Sequence, residues 1–323
     1  MVTTIDYHTA GEPFRIVTGG VAPIPGHTIL AKRRYCAERL DRVRALLVNE
    51  PRGHADMYGC FVTEPEDEGA DLGVVFFHNA GYSTACGHGT IALATAALEA
   101  GMLPSREPET RLTLDVPSGR LPVVVQVEGG RVGAVRFRNV PAFVAARGLH
   151  AAGHEVDVAY GGAFYASVRL QGGVVRENLP RLIELGRELK RVLEGEREWA
   201  HPEEPELRGI YGVVFWQEEP GCEALSQRNV TVFADGEVDR SPCGSGTSAR
   251  LALLDADGEL ARGETLRHLS IVGTELRASV VGEAHVGGRS AVVTEVEGTA
   301  HLTGYHQFVL EPDDELGTGF LLR

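Results

Sequence analysis

The sequence predicts an α/β (α+β) protein made of two pseudo-symmetric, β-rich halves, each built around one central helix. Three observations support this prediction: the length, a predominance of short strand-like segments, and a motif that occurs twice about half a chain apart. The 323 residues exceed what one compact core usually holds, and 43% of them are hydrophobic. Two domains of roughly 150 residues each are therefore expected.

Most of the chain consists of short apolar or alternating runs bounded by Gly, Pro, Asp and Asn, which is typical of strands separated by turns. Examples are LGVVFFH at 72–78, LPVVVQVE at 121–128 and IYGVVFW at 210–216. Apolar residues recur at helical spacing over 37–49 and, more strongly, over 177–196. Two further helices are expected after Cys86 and Cys243.

The segments after these two cysteines match each other. ACGHGTIALATAALEAGML at 85–103 aligns without a gap to PCGSGTSARLALLDADGEL at 242–260, at an offset of 157 residues. The preceding strand-like runs align as well, with Phe76 and Phe233 at the same offset. Two copies indicate duplicated halves rather than a solenoid. Gly101 and Gly258 are expected to end the two helices.

The boundary between the halves is expected near residue 125. The N-terminal α/β half then covers 1–125 and carries Cys86, and the C-terminal α/β half covers 126–300 and carries Cys243. The tail from about 301–323 returns to the first half or stays with the second, and the sequence alone leaves this open.

Composition excludes several classes of function. Lys and Arg total 31 against 45 Asp and Glu, and the net charge of −14 argues against partners such as nucleic acid or an anionic membrane. The N-terminus lacks the basic and apolar pattern of a secretory signal, and no apolar run approaches the ~18 residues of a membrane helix. A soluble, cytoplasmic enzyme is expected. A homodimer is compatible with the sequence, which gives no direct sign of oligomeric state.

The sequence has five cysteines, an odd number, and no CxxC pair. This pattern is typical of free thiols in a reducing compartment rather than of disulfides or a zinc site. The cysteines are Cys36, Cys60, Cys86, Cys222 and Cys243. Cys36, Cys60 and Cys222 are interpreted as ordinary thiols, because nothing around them is repeated.

A cysteine at a helix N-terminus faces unpaired N–H groups and the positive end of the helix dipole. Its thiolate is stabilised there, so the thiol pKa is expected to fall from about 8.5 toward neutrality. The adjacent glycines leave N–H groups open to a carboxylate. Two such turns facing each other across a cleft would remove a proton from one face of a carbon and return it to the other. His88 and Asp239 lie nearby in sequence, as substrate contacts or as caps.

Four segments now resemble a known family. They are HTAGEPFRIV at 8–17, PRGHADMYG at 51–59, GYSTACGHGTIAL at 81–93 and DRSPCGSGTSAR at 239–250. In these motifs the sequence resembles the proline racemase family, which includes proline racemase, 4-hydroxyproline 2-epimerase and trans-3-hydroxyproline dehydratase. The resemblance implies a fold like that of diaminopimelate epimerase, with the active site in the interdomain cleft. It also implies a small imino acid as substrate, with neither a cofactor nor a metal.

Carried over position by position, the resemblance implies roles for nine residues. Cys86 and Cys243 become the catalytic acid–base pair, and Asp239 contacts the substrate nitrogen. Gly87, His88, Gly244 and Ser245 hold the substrate carboxylate and amine. Tyr58 and Phe233 line the pocket around the substrate ring.

Within the family, the choice of reaction depends on the second cysteine. The dehydratases resemble this chain at the first cysteine but carry threonine at the second position, whereas Cys243 keeps both bases of a racemase or epimerase. Aromatic Tyr58 and Phe233 favour proline, but the Tyr58 hydroxyl and the segment MYG also resemble the dehydratases. Proline is therefore placed slightly ahead of a hydroxyproline, 4-hydroxyproline and 3-hydroxyproline stay open as substrates, and dehydration stays open as the reaction.

Readings outside the family's chemistry are weaker. A non-catalytic imino-acid-binding protein would need only the glycines and not two thiols. A cysteine hydrolase needs thiol and imidazole in contact, which the spacing of Cys86 and His88 is not expected to give. Zinc and phosphate sites lack their usual ligand spacing and lysine. Arg52 and His54 either border the site or form a structural turn.

Overall fold

The computed structural model describes residues 1–221 and 224–322, so the prediction for Cys222 lies outside the described residues. The chain divides into two compact units, one of Met1–Val135 with Thr299–Arg323 and one of Arg136–Gly298. Strand β8, Arg131–Arg138, contains the division.

Over its described residues, the first unit is mainly strands, with three helices. The strands are β1 Val2–Thr9, β2 Glu12–Gly19, β3 Tyr58–Thr63, β4 Leu72–His78, β5 Gly81–Tyr82, β6 Glu109–Val116, β7 Gly119–Glu128 and β18 Ala300–Phe308. The helices are α1 Ile29–Tyr35, α2 Asp41–Val48 and α3 Gly87–Glu99, with a π-helical turn at Cys36–Leu40 between α1 and α2.

The second unit is built in the same way, with two helices among its described residues. Its strands are β9 Phe143–Ala151, β10 His154–Tyr160, β11 Phe164–Arg169, β12 Ile210–Glu218, β13 Ser226–Phe233, β14 Glu237–Asp239, β15 Leu266–Ser270, β16 Glu275–Val286 and β17 Arg289–Gly298. The helices are α4 Leu179–Glu196, preceded by a 3₁₀ turn at Arg176–Asn178, and α5 Gly244–Asp257.

Strand pairing repeats between the units. In the first unit β18, β1 and β2 are antiparallel neighbours, β2 is parallel to β3, β3 is antiparallel to β4, and β4 is parallel to β6. In the second unit β9, β10, β11, β12, β13 and β15 follow the same order with the same directions. The cysteine-led helices α3 and α5 lie in equivalent crossovers, β4 to β6 and β13 to β15. The predicted duplication is therefore present in the topology.

The register corrects one detail of the predicted repeat. Gly59 in β3 and Gly212 in the equivalent strand β12 each follow a tyrosine and are matched on that basis. Gly59 pairs with Phe77, and Gly212 pairs with Phe233. Phe77, rather than Phe76, is thus the counterpart of Phe233 in the strand register. The offset is one residue smaller in these strands than at the cysteines, because the connection leading to α5 is one residue longer than the connection leading to α3.

Helices α3 and α5 are the buried centres of their units. Every residue from Gly87 to Leu98 and from Gly244 to Leu254 is buried, as expected of helices that are small or apolar all round. Each buried leucine or isoleucine contributes about 1.5–3 kcal/mol to such packing. Gly101 and Gly258 follow the helices with φ of 68° and 67°, so the predicted helix ends are confirmed.

Other boundaries differ from the sequence prediction. The helix expected at 37–49 begins earlier, at Ile29, where Thr28 accepts a hydrogen bond from the Ala31 N–H. The boundary expected near residue 125 lies inside β7, because β7 pairs along its length with β6 of the first unit. Strand β18 of the tail pairs with β1. Strands β1, β5, β9, β10, β14 and β16 were not predicted from the sequence.

Candidate active site

The first cysteine caps its helix. Cys86 is the N-cap of α3 in an extended conformation, and its Sγ accepts a hydrogen bond from the Gly89 N–H at 3.3 Å. The Cys86 carbonyl accepts from the N–H and the hydroxyl of Thr90, at 2.9 and 2.8 Å. The sulfur therefore occupies the place of a capping oxygen, where the positive end of the helix favours a thiolate.

His88 folds back over this turn. Its Nε2 and Nδ1 lie 3.4 and 3.6 Å from the Cys86 Sγ, and its carbonyl accepts a hydrogen bond from the Thr9 hydroxyl at 3.0 Å. The imidazole stands edge-on to the rings of Phe14 and Tyr58, at 5.6 and 5.0 Å between centroids. The expectation that this spacing keeps thiol and imidazole apart is wrong, because the two aromatic rings hold the imidazole over the first helical turn.

Tyr58 presents a polar group beside the first cysteine turn. Its hydroxyl donates a hydrogen bond to the Ser83 Oγ, and the Ser83 hydroxyl lies 3.4 Å from the Ala85 carbonyl. The Tyr58 ring also packs against His78 at 5.3 Å. Ser83 was missed in the sequence, since a lone serine two residues before an alanine carries no recognisable signal.

The glycines of both turns are required by close packing. A Cβ on Gly89 would collide with the Phe14 ring and lie 2.7 Å from the Cys86 Sγ. A Cβ on Gly246 would lie 3.0 Å from the Cys243 Sγ. Gly87 and Gly244 are the first residues of α3 and α5, where backbone N–H groups are not used by the helix.

The second cysteine has a strained backbone. Cys243 has φ 60° and ψ 97°, in the left-handed region that non-glycine residues rarely adopt. Its N–H donates to the Ser241 Oγ at 3.1 Å, and its carbonyl accepts from the Thr247 N–H at 2.7 Å. The preceding Pro242 carbonyl accepts from the Thr247 hydroxyl and from the Asn229 amide, both at 3.1 Å. Side chains on three segments thus hold this conformation.

Two hydroxyls surround the Cys243 sulfur. The Tyr165 OH lies 3.7 Å and the Ser245 Oγ 3.9 Å from the Cys243 Sγ, and the two oxygens are 2.7 Å apart. Tyr165 comes from β11 and is 1% exposed. No sequence signal pointed to Tyr165, because it stands 78 residues before Cys243 in an ordinary strand.

The electrostatics of Cys243 contradict the sequence expectation. Burial and the nearby Asp239 carboxylate raise the pKa of the Cys243 thiol to about 12, and the Gly246 N–H and Tyr165 hydroxyl oppose this only in part. Desolvation in an apolar cluster, together with a like-signed neighbour, therefore outweighs the helix N-terminus. Asp239 itself is buried and accepts the Ser241 N–H at 2.8 Å. At neutral pH, Cys243 is a neutral thiol.

The remaining predicted residues fall into two groups. Phe233 is buried and stacks on Tyr211 at 5.5 Å, and Tyr211 stands edge-on to Tyr165 at 5.8 Å. The ring of Tyr211 therefore lies between Phe233 and Tyr165, which contacts the Cys243 sulfur. Arg52 binds the Asp314 carboxylate at 2.9 Å and the Val309 carbonyl at 3.1 Å, which gives it a structural role in the first unit.

Cys36 and Cys60 are buried thiols outside both cysteine turns. Burial raises the pKa of Cys36 to about 12 and raises the pKa of Cys60 as well. Across residues 1–221 and 224–322, no three His, Cys, Asp or Glu side chains are grouped to hold a metal ion. No helix in the same ranges is long and apolar enough to cross a membrane.

The fold is a duplicated α/β fold with a cysteine at the start of each central helix. Comparison with known proteins identifies the family of enzymes to which this arrangement belongs. The family model described as proline racemase matches residues 4–321, and the chain belongs to this family. It is similar to the 3-hydroxyproline 2-epimerase of Burkholderia multivorans, with 46% identity over 100% of this chain and 98% of that protein. It is also similar to the trans-3-hydroxy-L-proline dehydratase of Bacillus cereus, with 44% identity over 99% and 98%.

Solved structures agree with this assignment. A hydroxyproline epimerase from Agrobacterium vitis, with bound trans-4-OH-L-proline, superposes with a TM-score of 0.92. It is 33% identical and covers 99% of this chain and 94% of that one. The predicted fold class is thereby confirmed, and the chain is an enzyme.

Proposed function

We propose that this enzyme inverts Cα of a hydroxyproline or of proline, with Cys86 and Cys243 exchanging protons with opposite faces of that carbon. One observation carries the proposal: the second repeat, like the first, begins its central helix with a cysteine. Inversion through a planar carbanion needs one proton acceptor and one proton donor. A turn that only anchored a carboxylate would need its glycines and not a thiol.

The two turns differ in a way that suits opposite protonation states. Cys86 accepts the Gly89 N–H and lies beside His88, both of which support a thiolate. Cys243 is a neutral thiol at pH 7, because burial and Asp239 raise its pKa. We therefore assign Cys86 as the base and Cys243 as the acid for one hand of the substrate. The pair exchanges these roles for the other hand, and its titration belongs to both groups together.

The substrate's charges are matched by the same turns. The first N–H groups of α3 and α5, at Gly87 and Gly244, suit a carboxylate, whose negative charge grows as the Cα proton leaves. The buried Asp239 carboxylate would keep the substrate nitrogen cationic, which acidifies the neighbouring C–H. His88 and Ser245 stand two residues after each cysteine, where each contacts its sulfur. The proposed reaction uses only these groups and no cofactor.

A hydroxyproline is placed ahead of proline. The hydroxyls of Tyr58 and Ser83 form a polar pair beside the first cysteine turn, and Tyr165 with Ser245 forms another beside the second. Phe233 adds apolar surface near the second pair. The names of the epimerase and dehydratase relatives refer to 3-hydroxyproline, which supports the same order.

Dehydration of trans-3-hydroxy-L-proline is the second candidate, favoured by the 44% identity with the Bacillus cereus dehydratase. In that reaction a base takes the Cα proton, a Cα=Cβ bond forms, the Cβ–O bond breaks, and the leaving oxygen takes up one proton, matching the proton lost from Cα, to depart as water. One base at Cα is sufficient, and Cys86 would supply it. Cys243 then has no required part, which is why inversion is placed first.

Proton NMR in D₂O tests the proposal with L-proline, trans-4-hydroxy-L-proline and trans-3-hydroxy-L-proline. Inversion predicts deuterium at Cα together with the epimer or enantiomer. A pyrroline product from the 3-hydroxy substrate would instead assign dehydration. Binding of an imino acid by calorimetry, without exchange or elimination in any of the three, would leave a binding protein and refute the enzymatic proposal.

A further inference from the structure

The sulfur of Cys243 has a buried hydroxyl partner that the sequence motifs do not include. Tyr165 reaches it from β11, with its phenol oxygen 3.7 Å from the Sγ and 2.7 Å from the Ser245 Oγ. The ring is fixed, since it belongs to a buried cluster with Val214 and Ala249. A hydroxyl held this firmly beside a titrating sulfur is placed to respond to the charge on that sulfur.

In the two cysteine turns, different side chains contact the sulfur. In the first turn the residue after the intervening glycine is His88, which is long enough to reach the Cys86 sulfur at 3.4 Å. On β2, the strand equivalent to β11, the residue packed against that turn is Phe14, which has no hydroxyl. In the second turn the corresponding residue is the shorter Ser245, at 3.9 Å from its sulfur. There the strand contributes a tyrosine, whose hydroxyl joins serine and sulfur.

We propose that Tyr165 is a positioning residue that works through Cys243, by reversing its hydrogen bonds as that cysteine gains or loses its proton. With Cys243 as a thiol, the S–H donates to the phenol oxygen and the phenol O–H donates to Ser245. With Cys243 as a thiolate, the phenol O–H donates to sulfur and the Ser245 O–H donates to the phenol oxygen. In both states the sulfur and the phenol oxygen stay joined by a hydrogen bond, and Tyr165 stays protonated throughout.

The electrostatics of the tyrosine agree with this geometry. Burial raises the pKa of Tyr165 well above its ordinary value, and the neighbouring Cys243 acts in the same direction. A phenol that does not ionise is a donor and not a competing base. The catalytic meaning of this inference rests on the proposed function, whereas the coupling of Tyr165 to Cys243 does not.

Thiol modification tests the coupling without requiring activity. Iodoacetamide reacts with the thiolate, so the rate at pH 8–9 follows how well the thiolate of each cysteine is stabilised. Peptide mass analysis separates Cys243 from Cys86 in the same sample. Tyr165→Phe should slow modification of Cys243 by about three- to tenfold, since a donor to the thiolate is lost while the ring is kept. The Cys86 rate should stay within twofold.

Tyr160→Phe is the matched control. Tyr160 lies on the adjacent strand β10, is equally buried, and its hydroxyl has no hydrogen-bond partner within the described part of the chain. In this variant, iodoacetamide should modify Cys243 at the wild-type rate. Equal Cys243 rates in the two variants, with unchanged circular dichroism, would overturn the proposal. A slower Cys243 rate in Tyr165→Phe supports it even if no imino acid exchanges its Cα proton, a result that would count against the proposed function alone.

Discussion

The hydroxyl of Thr247 lies 2.7 Å from Nδ1 of His268 and 3.1 Å from the carbonyl oxygen of Pro242. A carbonyl can only accept, so the Thr247 O–H donates to Pro242 and the His268 Nδ1–H donates to Thr247. Burial lowers the pKa of His268 to about 3, so the imidazole is neutral at physiological pH. This chain of hydrogen bonds ends at the peptide that sets the strained backbone of Cys243.

Thr247→Val should therefore loosen the second cysteine turn. The change removes the donor to Pro242 and leaves the buried His268 N–H without its acceptor, which should cost about 1–3 kcal/mol of unfolding free energy. Urea denaturation measures this loss. Turnover should fall as well, because the thiol loses its fixed position.

Thr90→Val is the matched control for that variant. Thr90 is the equivalent threonine of α3, but its hydroxyl only adds a second hydrogen bond to a carbonyl that its own N–H already uses. The loss should stay below about 1 kcal/mol. Equal losses for the two variants would show that the hydrogen bond from His268 adds nothing to the unfolding free energy.

The pH dependence of stability should carry the signature of His268. Its folded pKa lies below its unfolded value, so the unfolded chain binds more protons between about pH 3 and 6.5. Stability contributed by the neutral imidazole is present above pH 6.5 and is lost as pH falls. By pH 4.5 the loss should reach about 2.5 kcal/mol. His268→Gln should flatten the wild-type curve between pH 4.5 and 7, and a superimposable slope in the variant would contradict this.

Both thiols should be needed for inversion. Cys86→Ser and Cys243→Ser each replace a thiol by a hydroxyl that ionises far less readily, so inversion should fall by about 10²-fold or more. Optical rotation follows the rate, and circular dichroism checks the fold. Cys60→Ser, at a buried thiol outside both turns, is the comparison. Near wild-type inversion in either of the first two variants would remove the two-base assignment.

Cys243→Thr should separate inversion from elimination. It leaves Cys86 as the only thiol base while keeping a small hydroxyl at the second turn, which is the combination that the family resemblance associates with dehydratases. Inversion should fall by about 10²-fold or more, while any elimination from trans-3-hydroxy-L-proline should persist. Pyrroline formation, read by NMR, distinguishes the two. A variant that still inverts trans-4-hydroxy-L-proline would show that Cys243 is not one of the bases.

The sequence predicted most of what is repeated and little of what differs between the repeats. The two helices and their glycine ends could be predicted, because the matched segments contain the helix formers and both Gly101 and Gly258. Strands β9 and β16 were missed, since both mix exposed polar residues and glycines into weakly apolar runs.

In the candidate site, only the polar side chains that are close to the cysteines in sequence could be predicted. His88, Asp239 and Ser245 are close in sequence, whereas Tyr165 reaches the sulfur from a distant strand. The pKa of Cys243 was predicted in the wrong direction, because a helix N-terminus is visible in a sequence and burial of a particular sulfur is not.

For proline, whose two hands are enantiomers, the different N-caps of α3 and α5 have a kinetic consequence. Mirror-image substrates would meet two proton carriers that are not mirror images, one seated as an ordinary cap and one on a left-handed backbone. Two enantiomers interconvert with an equilibrium constant of 1, and kcat/KM must therefore be equal in both directions. The equilibrium constant places no such condition on kcat or KM alone. Saturating turnover can therefore differ between the two hands, set by how the duplicated halves have diverged.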